Sequence, residues 1–326
     1  MSRARSRPVV AATRLVNGIL RRAVEIEARP VDVPRRRHER FLPRSVWRRA
    51  IKLEYGVYDE GSGTLHVVHD YGLFSCLSVT LWSLADLFRD GHVPRRLNLD
   101  RTLGAFRDPG RDTTGSVLFT TDVDPVGLDR LKEMQPSRLV RFDHHGDYGQ
   151  FDFEVLTALR ETYLAVSPAV LERAAELERE FLVAGARYGA VCIRGTDKAR
   201  EVIPLDSALY VEAARSLLDE GAVDRILIQT DQAQIARLFE REFAGRCDRF
   251  TVLPVTETLQ GIHLSTAVDG RRLEFARDMV AAVMVIAGMP RVITHTGNVG
   301  AWTTLFRGSG EGVIQATPRG FVSLDA

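Results

Sequence analysis

The sequence predicts an α/β protein built on parallel sheets. Short apolar runs rich in β-branched residues alternate with longer runs of helical period along most of the chain, the pattern of strands joined by crossover helices. One run, Tyr188-Gly189-Ala190-Val191-Cys192-Ile193, is apolar or small throughout, as a strand buried on both faces must be. No solenoid repeat and no low-complexity segment competes with this reading.

Taken in order, the first 48 residues stand apart. The first fifty carry fourteen Arg against four acidic residues, which reads as a solvated basic arm with one amphipathic helix near Thr13 to Glu27, able to lie on an anionic surface. A first set of strands is predicted near Leu65 to His69, Arg96 to Asp100, Ser116 to Thr121 and Arg138 to Asp143, with a strong helix over Ser75 to Phe88. Ser167-Pro168 then supplies an N-cap followed by proline at the first helical position, and the helix it opens should run to about Val183. A second set of strands follows near Tyr188 to Ile193, Arg225 to Gln229, Phe250 to Leu253 and Arg291 to Thr294, with helices between them. The division is therefore a basic arm over 1–48, a first α/β domain over 49–166 and a second over 167–326.

Composition narrows the function classes. Forty-four basic against forty-three acidic side chains leave no global field that would draw nucleic acid. Cys76, Cys192 and Cys247 are odd in number and have no zinc-site spacing, so free thiols in a reducing cytosol are expected. The longest apolar run, Met279 to Met289, is too short to cross a bilayer, and the Arg-rich start lacks a signal-peptide core. The expectation is a soluble cytoplasmic protein with an arm suited to peripheral membrane contact.

The candidate chemistry collects at predicted strand ends. Arg194-Gly195-Thr196-Asp197-Lys198 follows the buried run, at the edge where open α/β sheets hold ligands. Arg194 offers a planar fork that can grip a phosphate in two places, Lys198 adds a mobile point charge, and Asp197 can orient either. Arg194 could otherwise simply cap a strand end in water. Asp231 ends the next strand, and with Gln234 it also comes close to a capping box. Thr296-Gly297-Asn298-Val299-Gly300 opens a helix whose first N–H groups could face an anion, or is an ordinary glycine turn. Gly72 joins a strand to a helix. Asp122-Val123-Asp124 could hold a divalent cation, and Asp143-His144-His145 could supply a base.

These segments, in this order, resemble the motifs of the α1,6/O-fucosyltransferase superfamily, which includes nodulation, core N-glycan and protein O-fucosyltransferases. The stretch Val191 to Lys198 resembles its first motif, His-Val-Arg-Arg-Thr-Asp-Lys, with Cys192 in place of the His and Gly195 in place of the second Arg. Ile226-Leu227-Ile228-Gln229-Thr230-Asp231 resembles the second motif, and Val292 to Gly300 the third. Tyr163-Leu164-Ala165-Val166-Ser167-Pro168 resembles the lead-in before the first. The resemblance spans roughly residues 150 to 310.

The resemblance implies a GT-B fold of two Rossmann-like domains, with a GDP-sugar held against the second and the acceptor against the first. It implies an inverting, metal-independent transfer of fucose or a related sugar, with no cofactor and with a glycan, peptide or small-molecule acceptor. Arg194 would meet the β-phosphate. Thr196, Asp197, Lys198, Asp231, Asp278, Thr296, Gly297, Asn298, Val299 and Gly72 would lie along the donor, and Glu201, Asp143 or His144 would take the acceptor proton. Two alternatives stand beside this reading: a sugar-nucleotide binder without catalysis, and a metal-dependent transferase built on Asp122 and Asp124.

Overall fold

A computed structural model describes residues 50–69, 71–107, 114–120, 123–195, 205–258, 262 and 266–325. The basic arm with its expected helix, Asp122, and the stretch holding Thr196, Asp197, Lys198 and Glu201 lie outside the described residues. The class is α/β, with two sheets that each contain parallel strands.

The first sheet has the order β1 (Ile51–Leu53), β2 (Gly56–Asp59), β3 (Thr64–Val67) and β4 (Arg96–Asn98). Its first three strands form an antiparallel meander, and β3 pairs with β4 in parallel through the crossover helix α1 (Leu73–Arg89). The second sheet begins with β5 (Tyr188–Ile193), β6 (Arg225–Thr230) and β7 (Cys247–Asp248). It continues with β8 (Arg291–His295), β9 (Val313–Thr317) and β10 (Gly320–Ser323). Its spatial order is β7-β6-β5-β8-β9-β10, parallel up to the antiparallel last strand. That is the doubly wound order in which the chain starts in the middle, builds one side, and returns to build the other. All six residues of β5 are buried, as its unbroken apolar run requires.

The remaining helices are α2 (Gly115–Leu118), α3 (Pro125–Glu133), α4 (Phe153–Tyr163), α5 (Pro168–Phe181), α6 (Ser207–Asp219), α7 (Ala233–Glu242), α8 (Arg272–Ala287) and α9 (Asn298–Arg307). Their ends follow local chemistry. Ser167 caps α5 by accepting from Val170 N at 3.3 Å, with Pro168 at the first position as expected. Gly308 closes α9 in the left-handed conformation at φ 76°, where a side chain would be strained.

Three expected strands are absent. Over the described part of Ser116 to Thr121 the chain instead forms most of the single turn α2 (Gly115–Leu118), and its pairing is limited to an isolated bridge of Phe119 to Val166 flanked by Thr120 N on Ala165 O and Ser167 N on Leu118 O. Over so short an apolar run, period alone cannot separate a strand from a buried turn. Pro136–Arg138 is a 3₁₀ turn, and the stretch after it is held by side chains, with Trp82 Nε1 donating to Phe142 O at 3.0 Å. Phe250 and Leu253 are buried in a turn closed by Leu253 N on Phe250 O, and the paired strand lies earlier at Cys247–Asp248. β1, β2, β9 and β10 have no counterpart among the expected strands.

One apolar cluster runs through both halves, from Tyr58 and Leu65 through α1, α4 and α5 to α8, Trp302 and Leu324. A second, between β5, β6, α6 and α7, covers the other face of the second sheet. Asp278 lies in the second turn of α8, fully buried, with Oδ1 2.7 Å from Arg173 Nε of α5 and Oδ2 3.6 Å from Arg271 Nη2. Burial raises its carboxyl pKa, and the bond to Arg173 opposes that shift. No helix among the described residues is long and apolar enough to cross a membrane.

Candidate functional site

β5 and β8 are neighbours although β6 follows β5 in the chain, so the strand order reverses between them. At such a reversal the connections leave to opposite faces and open a crevice beyond the carboxyl ends of the strands. Arg194 follows β5 into that crevice and Thr296-Gly297 follows β8. The two ends are joined directly, since His295 Nδ1 lies 3.3 Å from Cys192 O.

Arg194 is one-quarter exposed, with Nε 3.7 Å from Asp231 Oδ2. The other carboxylate oxygen of Asp231 accepts from Gly195 N at 2.9 Å. Asp231 therefore steadies the loop that carries Arg194, and it does not serve as part of a capping box. α7 starts from Gln232 without a side-chain cap, and Thr230 Oγ1 accepts from Gln232 N at 3.2 Å. Gln232 Nε2 in turn donates to Gly195 O at 2.9 Å. A Cβ at Gly195 would run into the Gln232 amide, so the residue 195 position, glycine where the superfamily motif has arginine, is filled by the side chain of Gln232.

The turn after β8 is held from the other half of the chain. Tyr148 is fully buried; its hydroxyl accepts from Gly297 N at 2.6 Å and donates to Gly297 O at 2.8 Å. Burial raises the Tyr148 pKa, so the hydroxyl stays protonated and keeps both roles. Gln315 of β9 pins the same loop, accepting from Tyr148 N at 3.0 Å and donating to Gly146 O at 2.8 Å. Gly297 adopts φ 145°, which an L side chain rarely does, and at Gly300 a Cβ would strike His295 O. Asn298 Oδ1 accepts from Ser78 Oγ of α1 at 2.7 Å, Val299 packs on the main cluster, and the Thr296 hydroxyl donates to Ala316 O at 2.7 Å.

Arg194, Asp231 and Thr296-Gly297 thus stand at the carboxyl ends of the neighbouring strands β5, β6 and β8, and Asn298 and Val299 open α9. The His144 carbonyl lies 3.3 Å from the Tyr148 hydroxyl that holds the Gly297 turn. The His144 ring sits 5.4 Å from the Trp82 ring. Asp143 beside it is exposed and accepts from His145 N at 2.8 Å, closing the turn. Gly72 is the N-cap of α1 and has open space where a Cβ would be. Asp278 is engaged by Arg173 and Arg271 between α5 and α8. Asp124 spends its carboxylate as the N-cap of α3, accepting from Val126 N and Gly127 N. Among the described residues no group of three or more His, Cys, Asp or Glu side chains converges. Burial pushes the Cys192 thiol up to about 12, which disfavours its thiolate.

No local sequence pattern assigns a role to Tyr148, Gln232, His295 or Gln315. Tyr148 is 149 residues from Gly297, and no local pattern links them. Tyr148→Phe should leave the buried Gly297 N–H unsatisfied, costing about 1–3 kcal/mol. Calorimetry should show a lowered Tm. An unchanged Tm would mean that the turn keeps its shape without the hydroxyl.

No protein-family model matches the chain, and no curated protein matches its sequence. Solved structures do resemble it. NodZ α-1,6-fucosyltransferase co-crystallised with GDP is 14% identical, covers 79% of this chain and 96% of its own, and superposes with a TM-score of 0.46. The same enzyme soaked with GDP-fucose gives 13% identity, coverage of 79% and 98%, and a TM-score of 0.48. A single-site mutant of Arabidopsis thaliana FUT1 in complex with GDP is 12% identical over 89% of this chain and 58% of its own, with a TM-score of 0.35.

Proposed function

We propose that the chain is an inverting, metal-independent glycosyltransferase that takes fucose or a related sugar from a GDP-sugar. The observation that carries this reading is the placement of Arg194 and the Thr296-Gly297 turn on the two sides of the strand-order reversal, where doubly wound sheets take nucleotides. The guanine base and the fucose come from the motif resemblance.

In the proposed reaction an acceptor hydroxyl attacks the anomeric carbon from the face opposite the diphosphate. The bond to the β-phosphate oxygen breaks with its electron pair, and GDP leaves. Arg194, pre-set by Asp231, meets the growing negative charge, and the first turn of α9 presents its positive end from the other side. Lys198 would add a second cation. The acceptor proton goes to a base, with His144, Asp143 and Glu201 as the candidates. His144 is favoured because its loop is tied to the Gly297 turn by Tyr148. The basic arm would add peripheral contact with an anionic membrane from the cytoplasmic side.

Thermal shift tests the donor. A ligand at about 100 times its Kd adds about 2.7 kcal/mol, a rise of several degrees for a protein of this size. GDP should raise the Tm more than UDP does, with the same gain in excess EDTA. A gain that chelation abolishes and Mn²⁺ restores would favour the Asp122/Asp124 reading. GDP binding without any turnover of GDP-fucose would leave a binder.

A further inference from the structure

Arg194 is bracketed by two different kinds of restraint. Before it, Ile193 is the last residue of β5 and is paired in register with Thr230 of β6. After it comes Gly195, which lacks the Cβ that narrows backbone freedom, so the chain leaves the cation through the residue least able to hold a direction. Two side chains supply what Gly195 lacks. Asp231 Oδ1 accepts from Gly195 N at 2.9 Å, and Gln232 Nε2 donates to Gly195 O at 2.9 Å. The N–H belongs to the peptide plane shared with Arg194 and the C=O to the plane that follows, so the two bonds together fix both planes at the Gly195 Cα.

The glutamine has one way to stand. A backbone carbonyl only accepts, so the NH2 end of the amide must face Gly195 O, which turns Oε1 toward the Gly195 Cα. A Cβ at Gly195 would lie 2.6 Å from Gln232 Cδ and 3.2 Å from Cγ, so the amide fits only because residue 195 has no side chain. The base of this clip is itself held. Gln232 forms an isolated parallel bridge with Thr256, Thr256 N donates to Asp231 O at 2.9 Å, and Ala233 N donates to Thr256 O at 3.0 Å.

We propose that Gln232 is a positioning residue for the transfer step, acting through Arg194 by fixing the backbone that carries the guanidinium, and that residues 195 and 232 are a coupled pair. The inference rests on the transferase reading of the crevice and deepens it. A cation that must meet charge as it develops works best when it is already in place, and a misplacement of about 1 Å can cost about 10²-fold in rate. Without Gln232 the plane after Gly195 loses this restraint, and the glycine regains its freedom next to the one cation that Asp231 holds by its side chain.

The test is a pair of double-mutant cycles on the full chain, with rates taken well below each variant's melting transition. Gln232→Met keeps the side-chain length and removes the amide donor. It should lower kcat with GDP-fucose by about tenfold or more, with a smaller change in KM and in the thermal shift with GDP. In the Arg194→Ala background the same substitution should lower kcat no further, because nothing is left to position. A merely structural role would lower the rate by the same factor in both backgrounds. The second cycle needs no substrate. Gly195→Ala should lower the Tm, and adding Gln232→Ala should raise it again by removing the atoms that Cβ strikes. Equal factors in both backgrounds, a Gln232→Met variant as fast as the parent, or additive changes in Tm would overturn the proposal and leave the transferase reading in place. A parent chain that neither binds GDP nor turns over GDP-fucose would overturn the transferase reading, and the proposal with it, even with the Tm coupling intact.

Discussion

Replacing Arg194 by Ala is expected to lower kcat for sugar transfer by about 10² to 10³, the usual loss when one preorganised charge stabiliser is removed. The donor Kd should change less, because the first turn of α9 would still face the diphosphate in the ground state. Arg194→Lys should recover only part of the rate, since an ammonium cannot reproduce the planar fork that Asp231 holds from behind. Steady-state rates with GDP-fucose, measured beside GDP binding, separate the two effects. Near-normal turnover in both variants would remove Arg194 from the reaction and with it the proposed charge compensation.

The largest effect on stability is expected at a place away from the crevice. Arg173→Ala strips the closest partner from Asp278, whose carboxylate is fully buried between α5 and α8. Removing one member of a buried pair costs about 3–5 kcal/mol, because the remaining charge keeps its desolvation penalty. Arg271, at 3.6 Å and two-fifths exposed, compensates only in part. The double variant Arg173→Met with Asp278→Leu should recover most of the loss, since an apolar pair of similar volume carries no such penalty. Chemical denaturation of the single and double variants measures both numbers. A single variant as stable as the parent would show that Asp278 is neutral or solvated. A double variant that keeps full GDP binding would also release Asp278 from the proposed donor contacts.

What the sequence made legible follows from how local each signal is. The unbroken apolar run of β5 identifies a buried strand by itself, and Ser167-Pro168 marks the start of α5 because cap and proline act within one turn. The motif order placed Arg194, Asp231 and Thr296-Gly297 at strand ends, and the strands bring those ends together. Errors came where the pattern was short. Ser116 to Thr121 and Phe250 to Leu253 have the composition of strands, but over so short a run period alone cannot separate a strand from a buried turn.

By itself, then, the sequence determined the α/β class, the central buried strand and the cationic loop after it, since each depends on residues within a few positions of one another. Only the tertiary structure decided which of those parts act together. The Tyr148 clamp on Gly297 and the Gln232 side chain beside Gly195 join residues that are far apart in the chain. Their contacts exist only because packing of the two halves on one core brings separate segments within hydrogen-bonding or van der Waals range. No spacing rule in the sequence records that proximity.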